Sequence, residues 1–65
     1  MVEVEILDSA DKVISTSLLP YVPRIGEYVS IEEEGVFVYY NVVEVWIRIS
    51  EHCEPRACIR VNLDD

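Results

Sequence analysis

Apolar and polar residues alternate along most of this chain, and a period of two marks strands with one buried face. In the first such run, Val2-Glu3-Val4-Glu5-Ile6, the residues Val2, Val4 and Ile6 share a face. Asp8-Ser9-Ala10-Asp11 follows, with short polar side chains that bond nearby backbone and so favour a turn. The chain returns through Val13–Leu18, in which Ile14, Thr16 and Leu18 fall on one face. A third run from Glu27 to Glu32 points Val29 and Ile31 inward, and Glu33-Glu34-Gly35 turns it into a long fourth run, Val36–Ile49. The last, Ala57–Leu63, points Ile59, Val61 and Leu63 inward and Cys58, Arg60 and Asn62 outward. No segment of useful length shows helical periodicity.

The fourth run changes phase. Val38, Tyr40 and Val42 alternate on one face, but the later apolar set is Val45, Ile47 and Ile49. A β-bulge near Val43-Glu44 accounts for the slip: one extra residue bends the strand and keeps both halves facing the core. A bent strand of that kind can serve both sides of a small barrel. The pattern therefore predicts an all-β domain spanning residues 1–65, a five-stranded SH3-like barrel with a bent, bulged fourth strand. An open meander and an OB-like barrel are the alternatives.

Between the second and third runs lies Leu19-Pro20-Tyr21-Val22-Pro23-Arg24-Ile25-Gly26-Glu27. Each proline fixes its own φ and disfavours helix in the residue before it, and Gly26 permits a sharp turn. Leu19-Pro20, Val22-Pro23-Arg24, Gly26-Glu27-Tyr28-Val29 and the later Tyr40-Asn41-Val42-Val43-Glu44-Val45 resemble a group of small bacterial and phage proteins of uncharacterised activity. Their scheme is an opening hairpin, LPxVPRxGE/DxV, a turn, YxVxxV and a closing strand. The resemblance runs from Val2 to Leu63 and implies an SH3-like barrel; it implies no activity. The Phe37-Val38-Tyr39 run, Cys53 and Cys58 depart from the pattern.

Size and charge narrow the function. Sixty-five residues, 51% of them hydrophobic, make one domain near the lower limit of self-sufficient cores. Such a core rarely supplies more than about 3–5 kcal/mol, so association with a second copy is an expected form of support. The formal charge is −8, and the basic residues Lys12, Arg24, Arg48, Arg56 and Arg60 are scattered singly. Binding to nucleic acid or an anionic membrane needs a basic stripe, so neither is expected. There is no apolar run of signal-peptide or membrane-span length, which predicts a cytoplasmic protein. In that compartment Cys53 and Cys58 are most simply free thiols.

The segment Glu51-His52-Cys53-Glu54-Pro55-Arg56-Ala57-Cys58 offers two other readings. Structural zinc takes four ligands, usually in paired close spacings, and adjacent His52-Cys53 suits one ion poorly. A Cys53–Cys58 disulfide across the hairpin would need an oxidising setting. Cysteine catalysis lacks a third orienting group and an oxyanion site, and a barrel this small is filled by its own side chains. Neither an enzyme nor a cofactor is expected. Aromatic residues carry more information. With Val38, Tyr40 and Val42 inward, Phe37 and Tyr39 point outward; past the bulge Trp46 and Arg48 do too, and Tyr28 is outward beside Val29. Aromatics and arginine amid acids are the composition of a protein interface, unless a neighbouring element covers them as a second small core. The expected function is protein binding through Tyr28, Phe37, Tyr39, Trp46 and Arg48, with Tyr21 and Arg24 as a loop contribution. The expected partner is a protein, basic given the surrounding acids, or a second copy of the chain. The alternative is an acidic phage-type inhibitor or nucleic-acid mimic acting on a basic host protein. It would need Glu32, Glu33, Glu34, Glu51, Glu54, Asp64 and Asp65 to form one ridge.

Overall fold

A computed structural model describes residues 1–64. It contains five strands, β1 (Val2–Leu7), β2 (Val13–Leu19), β3 (Tyr28–Glu33), β4 (Val36–Arg48) and β5 (Arg56–Leu63). They form a single sheet in the order β2-β1-β5-β4-β3, antiparallel except where β1 runs parallel to β5. The sheet curls into a half-barrel, the all-β architecture of a small SH3-like barrel. Among the described residues no helix is long and apolar enough to cross a membrane.

The local chemistry sets the turns. Asp8 closes the β1–β2 hairpin with one carboxylate oxygen, Oδ1, which accepts from the backbone of Ala10 and Lys12 at 2.9 and 3.0 Å. Glu34 and Gly35 make the two-residue β3–β4 turn with φ of 55° and 81°. Positive φ at both central positions twists a hairpin in the sense its strands need. In the β2–β3 connection, Glu27 N–H donates to Arg24 C=O at 3.0 Å and Gly26 holds φ 95°, a value that a type II turn demands at its third residue.

The inner face carries the core: Val4 and Ile6 from β1, Val42 from β4, and Ala57, Ile59 and Val61 from β5. Val22 of the proline-rich crossing packs on it, as do Val29, Ile31 and Tyr40. The bulge is where the phase slip puts it, between Val42 and Glu44 in the pairing with β5. It separates two settings of one strand. Residues Val36–Asn41 pair with β3, and of these only Tyr40 and Asn41 also pair with β5, whereas Glu44–Arg48 pair with β5 alone.

Two expectations need correction. The inward set of β2 is Ser15, Ser17 and Leu19, which lie opposite Ile6, Val4 and Val2. Thr16 and Leu18 face out. A second irregularity explains this: Leu7 pairs with Val13 and Ile6 with Ser15, so Ile14 is an extra residue that resets the phase. Two inward serines are tolerable because their hydroxyls bond each other at 2.8 Å. Cys58 does face outward, yet it is wholly buried, and its outer-face neighbours Glu5 and Leu7 are largely buried too. The outer face has a small core of its own. Leu63, by contrast, stays exposed at the end of β5.

Candidate functional site

The five outward residues of interest divide into two groups along β4. Tyr28, Phe37 and Tyr39 lie together on β3 and β4 before the bulge. Ser30 is opposite Tyr39 and Glu32 is opposite Phe37, so all three rings share one face with Tyr28 diagonal to Tyr39. They are 63%, 58% and 58% exposed. An aromatic residue carries about 150–250 Å² of surface, so these fractions leave on the order of 350 Å² of aromatic surface in contact with water. The rim is acidic, with Glu32 on the same face and Glu33 and Glu34 at the adjoining turn. The Asp64 N–H donates to Tyr39 C=O at 3.0 Å and ties the end of β5 beside this patch.

Glu33 also anchors the patch from behind. Its carboxylate accepts from the Tyr40 hydroxyl at 2.7 Å. That bond, aided by partial desolvation and the nearby charges of Glu33 and Asp8, raises Tyr40 above the ordinary tyrosine pKa.

Trp46 and Arg48 sit past the bulge in different company. Trp46 is half-buried, opposite the buried Cys58, with the Arg60 guanidinium 5.0 Å from its ring centroid. Arg60 pairs with Glu44 and Asp11. Arg48 donates to both oxygens of Glu5 at 2.5 and 3.3 Å, while Arg56 reaches Glu3 at 2.8 Å and Glu5 at 3.6 Å. Hydrogen bonding to their carboxylates raises Arg48 and Arg60 further above the usual arginine range. The row Thr16, Glu5, Cys58, Trp46 runs across four strands, and the arginines close over it. Sequence periodicity assigned these side chains to the outer face but carried no sign that three cations converge there. Arg56, Arg60, Glu3 and Glu5 do occupy alternate outward positions of their strands, but only the β1–β5 pairing makes those strands neighbours.

The remaining candidates are spread apart. Tyr21 and Arg24 are exposed on the β2–β3 crossing, where the Arg24 N–H donates to Glu27 Oε1 at 2.7 Å. Cys53 is exposed and Cys58 buried, both free thiols, and the described residues contain no cluster of three or more metal-ligating side chains. Glu32–Glu34 and Glu51–Glu54 lie beyond opposite ends of the 13-residue β4, so they make two acidic ends and not one ridge. Asp65 lies outside the described residues. Two clefts open on the surface. One of ≈ 720 Å³ lies beside Glu5, Arg48, Cys53 and Arg56; the other, of ≈ 530 Å³, separates Lys12–Ser15 of the β2 edge from Ile31–Glu33 of the β3 edge. Compared with known proteins, the chain matches no family model, no curated protein and no solved structure.

Proposed function

We propose that this protein is a small cytoplasmic binding module that engages a protein partner through Tyr28, Phe37 and Tyr39 and has no chemistry of its own. The observation that carries the reading is the contiguous, uncovered aromatic patch on β3 and β4, each ring more than half exposed. Apolar patches of a few hundred Å² on a monomer usually mark contact surfaces. Aromatic anchors supply large contact area for little lost side-chain entropy.

The partner's chemistry follows from the rim. Glu32 and Glu34 flank the rings, and the chain's charge is −8. An apolar surface bordered by lysine or arginine is the complement, with the charges speeding encounter and the rings supplying most of the affinity. Arg48 and Trp46 support the fold beside this surface and do not form part of its contact centre.

The test is capture from a lysate of the source cell, followed by titration with the captured protein. Phe37→Ala with Tyr39→Ala is expected to weaken binding at least ~30-fold, the loss of about 2 kcal/mol that marks an anchor pair. Folding of the double variant, read by circular dichroism, should be unchanged. Binding that survives the double substitution but collapses by ~150 mM salt would instead mark an acidic mimic working by charge alone.

A further inference from the structure

The bulge that redirects β4 also strips a partner from it. On the side of β4 away from β5, the last backbone bonds are those of Val42, whose C=O accepts from Gly26 at 3.0 Å and whose N–H donates to Glu27 at 2.9 Å. Beyond them, among the described residues, nothing pairs with this side of Glu44–Arg48. The outer edges of β2 and β3 border one cleft and face each other across the open seam of the half-barrel. Free edges such as that of Glu44–Arg48 template pairing with another chain, and natural proteins usually blunt them with lysine, proline or short length. Val43-Glu44-Val45-Trp46-Ile47-Arg48-Ile49 has no lysine and no proline.

The side chains of this edge are apolar on the inner face as well. Val45 and Ile47 are 38% and 56% exposed although they continue the core face of β4, and Ile49 just past its end is 78% exposed. The molecule as a whole is correspondingly open. Its accessible surface is 4790 Å², where a 7.5 kDa monomer ordinarily shows ~4250 Å². Its radius of gyration is 11.8 Å against about 10.8 Å for a compact chain of this length.

We propose that two copies of this chain associate through this edge, pairing antiparallel over Glu44–Arg48 about a twofold axis at Trp46. The register is set by charge. With Trp46 opposite its own copy, Glu44 lies opposite Arg48 of the second molecule, twice, and Val45 lies opposite Ile47, twice. Opposite charges meet on the outer face and apolar side chains meet on the inner face. A slip of one residue in either chain would set outer residues against inner ones and lose both matches. Glu44 and Arg48 keep capacity for this, since their side chains remain 56% and 46% exposed while bonded to Arg60 and Glu5. The product is one continuous sheet with both aromatic patches on the same side.

Two strand edges and a few apolar side chains make a small interface, so association in the micromolar range is expected, and the protein is examined up to ~500 µM. Light scattering coupled to size exclusion should give a concentration-dependent shift from the chain mass to twice that mass. Ile47→Lys should return the protein to the single-chain mass with an unchanged circular dichroism spectrum, and Phe37→Ala should leave the dimer intact. Register is read by cross-linking in a Cys53→Ser background. Mixed Val45→Cys and Ile47→Cys proteins should form a covalent heterodimer on mild oxidation, several-fold faster than either variant alone, because directly opposite positions lie ~4.5–5.5 Å apart and diagonal ones ~7–8 Å. A wild-type protein that stays at the single-chain mass throughout overturns the proposal. So does a dimer that Phe37→Ala dissolves, or one whose heterodimer forms no faster than its homodimers; if Ile47→Lys unfolds, the cross-linking rates alone decide.

Discussion

The outer face of this sheet carries aromatic residues on both halves of β4, and the two halves treat them differently. Before the bulge, Phe37, Tyr39 and their neighbour Tyr28 are bare to water. After it, Trp46 lies against a buried cysteine beneath Arg60, and Arg48 and Arg56 bracket the buried Glu5. The cause is where the cations are. Arg48, Arg56 and Arg60 all belong to the far half, and their aliphatic stems can cover apolar surface while their heads bond carboxylates. The near half has no lysine or arginine on its strands, and a carboxylate has no comparable stem. Aromatic residues on one face can therefore differ in kind, Trp46 packed into the fold and Tyr28, Phe37 and Tyr39 left exposed.

The contrast is sharpest in stability. Trp46→Ala is expected to cost about 2 kcal/mol, less than a fully buried tryptophan because the residue keeps some exposure. Phe37→Ala should stay within about 0.5 kcal/mol of wild type, as surface changes do. Urea denaturation measures both, and equal costs would erase the distinction between the two halves. Next in size is the charge network. Glu5→Gln leaves two arginines without their buried carboxylate and should cost about 1–2 kcal/mol. Glu44→Gln, exposed and paired at the surface, should cost no more than ~0.5–1 kcal/mol.

The near half yields smaller effects. Glu34 is an L-residue held at φ 55° in a turn that favours asparagine or glycine. Glu34→Asn should raise stability by about 0.5 kcal/mol while lowering partner affinity at low salt, which separates the rim's role in binding from its role in folding. Smallest is the titration of Tyr40. Its pKa is raised in the folded protein, so its contribution to stability is complete below the unfolded-state value near 10.0 and is lost as pH rises through the folded value. Tyr40→Phe should remove that part of the alkaline decline, followed as denaturation midpoint against pH beside the phenolate absorbance of the wild type.

Much of this was legible from residue order alone. Strict alternation announced five strands and an all-β fold, and the conflict between Val42 and Val45 located the β4 bulge to within a residue, because a buried face makes register visible in sequence. Phe37, Tyr39 and Tyr28 were assigned outward for the same reason. The β1–β2 irregularity leaves no mark in the sequence, because Ile14 is apolar on either phase and Thr16 and Leu18 continue its alternation. The placement of Trp46 was half legible: its side of the strand followed from the period, its cover did not.

What the sequence by itself determined is the set of strands, their faces and the bend, since these follow from short-range periodicity and turn chemistry. Only the tertiary structure decided which outward residues are covered. That outcome depends on β1 lying parallel to β5 and bringing Glu3 and Glu5 beside Arg56 and Arg48, residues far apart in the chain. It also decided that β3 leaves β4 at the bulge, so that one end of the longest strand carries an aromatic patch and the other carries an open edge. Alternation states which way a side chain points; what it meets there is set by strand order, and no local pattern encodes that.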